Sequence, residues 1–171
     1  TDYQAKVAEL SRMTLEHHLG TEITLYTNLQ DTSNIKYKHI KPLKIGDSTS
    51  YITWVLGKLE TIAQQTEPFI HVDMDVFLFR KTPLIHFARP FIVLHHEYWT
   101  QLFSKYAHLV PAPKSLGQKY NCNHSNNFGI VGGTEWEHIT ECAKEILDHV
   151  YSHKKELDEV YSKYHDPGNA Y

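Results

Sequence analysis

FIHVDMDVFLFR, residues Phe69 to Arg80, is the stretch around which the rest of the chain is organised. Phe69, Ile70 and Val72 make a short apolar run, the pattern of a buried strand in a parallel sheet. Two aspartates follow, Asp73 and Asp75, with one residue between them. In an extended chain, residues i and i+2 point to one side. The spacing therefore predicts both carboxylates at one point beyond the carboxyl end of the strand, with Val72, Met74 and Val76 turned away. That end of an open α/β sheet is where ligands bind. Two adjacent anions repel and are costly to desolvate unless a cation joins them. Hard oxygen ligands suit Mg2+ or Mn2+, which take a few carboxylates and complete their shells with substrate phosphates. The plain alternative is a pair of solvated aspartates in a turn. The strand before the pair and the apolar Val76 to Phe79 after it favour a metal–phosphate site.

Composition bounds the reading. The 171 residues suffice for one domain with a core, and residues 1–171 read as that single domain. Hydrophobic content of 41% against 22% charged residues places the chain among globular rather than disordered proteins. The formal net charge is −3 and no long basic run exists, so no nucleic-acid partner is expected. No apolar stretch has membrane-spanning length and no signal peptide opens the sequence. Cys122 and Cys142 form no metal-ligand pattern. The expected setting is cytoplasmic or membrane-peripheral. The histidines are scattered; His95-His96-Glu97 lacks the second histidine of an H-E-x-x-H zinc motif.

The remaining elements follow from periodicity and breakers. A helix is predicted over Tyr3–Leu19, with Val7, Leu10, Met13, Leu15 and Leu19 as its apolar face and Gly20 as its stop. Ile23 to Thr27 alternates as a strand, and Ile40 to Ile45 offers a second, short one. Ser48–Gln65 is a helix with Ile52, Val55, Leu56, Leu59 and Ile62 in its buried stripe and Ser48 or Ser50 as cap. Lys58 on that helix is either an ordinary solvated lysine or a phosphate contact, and its removal is expected to leave the fold intact. Pro90–His95 reads as a strand with Glu97 just past its end, Tyr98–Ala107 as a helix, and Val110–Gln118 as a loop. The run from Asn121 to Asn127 precedes a Gly-rich strand ending at Gly133. It is either a plain turn or a polar rim suited to hydroxyl-rich ligands. Thr134–Tyr164 is predicted as one long helix opened by a Thr134/Glu137 capping box.

Three of these features together resemble one family. They are the lysine helix Trp54-Val55-Leu56-Gly57-Lys58-Leu59, the strand and D-x-D of PFIHVDMDVFLF with the turn proline Pro83, and the later NNFGIVGG. The combination resembles the nucleotide-sugar-dependent glycosyltransferases of the GT-A fold, among them bacterial capsular-polysaccharide and related sugar transferases, over roughly Leu10 to Tyr164. The resemblance implies an α/β, Rossmann-like fold with a mixed, mainly parallel sheet flanked by helices and Phe69–Val72 central. It implies a nucleoside-diphosphate sugar donor, a carbohydrate acceptor and Mn2+ or Mg2+. On it, Asp73 and Asp75 contact metal and donor, Lys58 contacts the donor, and Asn126, Asn127 and Gly129 wall the sugar and acceptor site. The sequence departs from the family in two places. The first nucleotide-binding strand is missing at the front, as in a chain that starts inside the fold. No acidic catalytic motif follows the long helix, so Glu97 and Asp166 are the acidic candidates for a base.

Competing readings are a catalytically inactive GT-A-like binding domain and a D-x-D phosphotransferase or phosphatase. In phosphatases of the haloacid dehalogenase type, Thr or Val is preferred where Phe77 stands. HVDMDVF also resembles the metal-binding opening of Y-family DNA polymerases. Those carry it at the start of the chain, with a later Asp-Glu pair that this chain lacks in a strand context.

Overall fold

A computed structural model describes residues 2–45, 51–97, 125–156 and 159. In chain order they form α1 (Asp2–Leu19), β1 (Thr24–Thr27), β2 (His39–Pro42), α2 (Tyr51–Ala63), β3 (Phe69–Val72), a 3-10 turn (Leu84–Phe87), β4 (Ile92–Glu97), β5 (Ser125–Gly133) and α3 (Trp136–Ser152). The architecture is α/β.

Gly20 ends α1 as the sequence suggests, with φ +68° and its N–H donating to the Glu16 carbonyl. The buried line of α1 differs from the expected face. Ser11 and Leu15 are buried, whereas Leu10 and Met13 are both 53% exposed. The Ser11 hydroxyl donates to the Val76 carbonyl at 2.6 Å, which fixes α1 against the segment that follows β3. On α2, Leu56, Leu59 and Ile62 supply the buried stripe at helical spacing. They meet Ala143 and Leu147 of α3 and Val131 of β5 in one core, with Phe69 and Val93 packed against it. The two helices thus cover one face of the sheet that holds β3, β4 and β5.

That sheet corrects the expected topology. Its strand order is β3-β5-β4, with both pairings antiparallel, so Phe69–Val72 lies at an edge rather than at the centre. Among the described residues, direct parallel pairing occurs only between β1 and β2, in a separate two-stranded sheet. The glycines of β5 make its place between the other two strands sterically possible. A Cβ on Gly132 would sit 2.1 Å from the Phe69 carbonyl oxygen, and one on Gly133 2.3 Å from that of Pro90. The missing side chains let β5 press between its neighbours.

The capping box also does not form. Helix α3 starts after Glu135, which makes no side-chain capping bond. The N–H groups of Thr134 and Glu135 donate instead to the carbonyls of Arg89 and Pro90, at 2.7 and 3.1 Å. A neighbouring loop therefore does the work assigned to Glu137. The expected single helix Thr134–Tyr164 instead ends at Ser152, with His153 as its C-cap, and residues 154–156 are helical again after that break. The expected helix Tyr98–Ala107, the loop Val110–Gln118, the caps Ser48 and Ser50 and the stretch 160–164 lie outside the described residues.

Candidate functional site

Strands β3 and β4 both run antiparallel to β5 and so parallel to each other. Their carboxyl ends and the amino end of β5 consequently share one end of the sheet. There the backbone of His95 pairs with Asn127, His96 with Asn126 and Glu97 with Ser125. A bulge between Val93 and His95 interrupts the ladder just before these pairs, a common device beside binding sites. On the other side of β5, the Asp73 N–H donates to the Gly129 carbonyl at 2.8 Å, one step beyond the β3 ladder.

Asp73 is the centre of the site. Lys58 of α2 donates from Nζ to Asp73 Oδ2 at 2.8 Å and to the Phe128 carbonyl at 3.0 Å. One ammonium thus joins α2, the end of β3 and β5. His71 Nε2 lies 3.2 Å from the other carboxylate oxygen, Oδ1. All three side chains are largely removed from water: Lys58 is 13% exposed, His71 14% and Asp73 25%. Lys58 is therefore not a solvated surface lysine. Burial pushes the Asp73 carboxyl up, but the hydrogen bonds from His71 and Lys58 and the Lys58 charge outweigh it and hold it below its ordinary 3.8.

A carboxyl depressed in the folded state stabilises the protein above its unfolded pKa. That contribution is lost as pH falls below about 3.8 and through the lower folded value. Urea melts across acid pH should show wild type losing stability in that window more steeply than Asp73→Asn, which has no carboxyl to protonate. Parallel profiles would mean that this ion pair is not what acid removes.

The extended geometry expected of the two aspartates ends at Val72. Asp73 opens a β-turn in which the Val76 N–H donates back to the Asp73 carbonyl at 3.1 Å. Asp75 is a central residue of that turn and is exposed. The i, i+2 rule for strands thus does not govern the pair. In β5, the Asn127 side-chain oxygen accepts the Gly129 N–H at 2.8 Å, and a Cβ on Gly129 would meet that oxygen at 2.9 Å and Leu94 at 3.2 Å. Asn127 therefore braces a close-packed backbone at the site. Lys58, Asp73, Asn127 and Gly129 are brought together as the sequence suggests. Asn126 and Glu97 join them by backbone register, and Asp166 lies outside the described residues. The residue missed by sequence reasoning is His71. Its signal was available, because His71 and Asp73 stand two apart on a strand and so share a face.

The chemistry of the donor set decides how a divalent cation fits. Both Asp73 oxygens already face a nitrogen, and the Lys58 ammonium 2.8 Å away opposes a second cation on the same carboxylate. Asp75 fits better: its carboxylate is exposed, and Mg2+-like ions accept one or two carboxylates with waters and substrate phosphates. Among the described residues no group of three or more His, Cys, Asp or Glu could hold a metal by itself. No helix among them is long and apolar enough to cross a membrane.

One family model matches residues 5–166, and its description is a family of unknown function. No curated protein and no solved structure matches the chain.

Proposed function

We propose that the chain, which belongs to the DUF6734 family of unknown function, is a GT-A-type glycosyltransferase that moves a sugar from a nucleoside-diphosphate donor to a carbohydrate hydroxyl. The observation that carries this reading is the Lys58–Asp73 pair, held by three separate segments at the end of the sheet where β3 and β4 terminate. A lysine beside a hydroxyl-accepting carboxylate suits a diphosphate attached to a sugar.

Roles follow from the contacts. Lys58 is close enough to turn from Asp73 to a diphosphate and offset the charge that develops on it. Asp73 accepts a donor hydroxyl. Asp75 would hold Mn2+ or Mg2+, which when bound would supply Lewis-acid neutralisation of the leaving diphosphate. The family resemblance assigns the wall of the sugar site to Asn127 and Gly129, with Asn126 beside them by backbone register. The acceptor oxygen forms a bond to the anomeric carbon, the bond to the diphosphate breaks with its electron pair leaving on oxygen, and the acceptor proton passes to a base. Glu97, at the end of β4, and Asp166 are the two acidic candidates for that base; backbone register puts Glu97 at this end of the sheet.

Calorimetry with a panel of nucleoside diphosphates, with and without Mn2+, tests the reading. Binding should need the cation and should fall on Asp75→Asn. Equal binding without cation, or none from the whole panel, would rule the reading out. One observation favours a second reading, an inactive binding domain: Lys58 and Asp73 already neutralise each other as a finished structural pair. Donor binding without nucleoside-diphosphate release, for every acceptor supplied, would select that reading.

A further inference from the structure

We infer that His71 is a positioning residue that keeps the Asp73 carboxylate aimed while Lys58 is engaged elsewhere. The inference rests on the proposed function in taking Asp73 to face a donor hydroxyl and Lys58 to turn to the donor diphosphate. Phe69 packs against the core under α2 and α3, and His71 pairs across the ladder with Val131, which is 1% exposed. Alternation along β3 therefore puts His71 on the helix-covered face, the same face from which Lys58 descends. Two donors reach Asp73 from two directions, Lys58 at Oδ2 and His71 at Oδ1.

A carboxylate turns readily about its last torsion, whose energy wells are broad. One donor would leave that rotation open, and two donors on different oxygens close it. The two are not equivalent. Lys58 carries a compact charge on a long flexible stem, and an incoming diphosphate competes for it. His71, on β3, sits two residues before Asp73, which follows the strand's end, and has no charge requirement for its hydrogen bond. Once Lys58 turns to the anion, His71 is the partner that still fixes the carboxylate. An Asp73 held in place keeps acceptor capacity directed at the ligand, since an ionised carboxylate offers about four acceptor positions. The rival role is merely structural: His71 satisfies a half-buried carboxylate and does nothing for ligand.

The test compares His71→Ala with His71→Gln, whose side-chain amide restores an N–H donor. Two probes are titrated with Mn2+ present: a nucleoside diphosphate-sugar and inorganic pyrophosphate. His71→Ala should weaken the sugar nucleotide about tenfold, as expected for one hydrogen bond to a charged group. It should leave pyrophosphate unchanged, and His71→Gln should restore most of the loss. Equal weakening of both probes, or of neither, overturns the inference. Carbon-13 NMR of the Asp73 carboxyl in ligand-free protein gives a reading that needs no nucleotide. The resonance should move or broaden in His71→Ala and return in His71→Gln; an unchanged signal in His71→Ala overturns the inference as well. A wild type that binds neither probe sinks the transferase reading and this inference with it, the carboxyl response then showing only that His71 holds Asp73 in the ligand-free protein; a wild type that binds the sugar nucleotide with no loss in His71→Ala overturns this inference alone.

Discussion

Gly132→Ala leaves the protein at least about 3 kcal/mol less stable, or unable to fold, in a urea or thermal melt. The added methyl would lie 2.1 Å from the Phe69 carbonyl oxygen and 2.9 Å from the Ile70 Cα. Both are backbone atoms of the paired strand, so no side chain can rotate out of the way. Relief requires β3 and β5 to part, and that breaks the ladder from Phe69–Gly133 to Val72–Ile130. Gly20→Ala is the contrasting control. Gly20 has φ +68° but nothing within 4 Å of its Cβ position, so only the left-handed backbone is penalised, at roughly 1 kcal/mol. If the two substitutions cost the same, the close approach of β5 to β3 is wrong.

Lys58→Ala gives the second large effect, and it reverses the expectation that this lysine is dispensable for folding. Its removal leaves a three-quarters buried carboxylate without its ammonium partner. The cost in stability is about 1–3 kcal/mol, the range for a charged hydrogen bond discounted for remaining solvent access. A double-mutant cycle separates the pair from its surroundings. Lys58→Met, Asp73→Asn and the double variant should show a coupling of at least about 1 kcal/mol, with the double variant costing less than the two singles added. Additive costs would mean that the 2.8 Å contact carries no net energy. Under the transferase reading, Lys58→Ala also weakens nucleoside-diphosphate binding by about 1–3 kcal/mol. Lys58→Arg keeps the charge, which tells loss of the phosphate contact from loss of the fold.

Much of this was legible in the residues. The apolar run Phe69 to Val72 marked β3, and the stripe Leu56, Leu59, Ile62 marked α2. The family resemblance, rather than local pattern, put Lys58, Asp73, Asn127 and Gly129 in one site, and the structure has them adjacent. Strand order was not, because pairing of residues 69–72 with 130–133 is a long-range choice that local patterns do not encode. The turn at Asp73 was legible as the plain alternative, because Asp is a common turn residue, but the apolar residues on either side argued against it. Apolar periodicity on α1 marked a helix without saying which side faces inward; Ser11 took the buried place because its hydroxyl finds the Val76 carbonyl. The cap of α3 escaped because its acceptors, the Arg89 and Pro90 carbonyls, come from a loop far back in the chain.

The position of β5 bears on how the chain reaches its native state. The middle strand of the sheet is the last of its three to be synthesised, and its two partners, β3 and β4, never touch as neighbours. Until residues 125–133 have left the ribosome, neither earlier strand has its partner among the described residues, and the core around Val131 lacks its central side chain. Hydrophobic collapse of α2 can begin early, but sheet closure waits for a late insertion that closes a long loop. Such high contact order slows folding and lengthens the period in which exposed edges can recruit other chains. Nascent chains stopped before residue 125 should therefore associate with chaperones or with one another, and those extended past residue 156, which carry α3 as well, should be released as monomers.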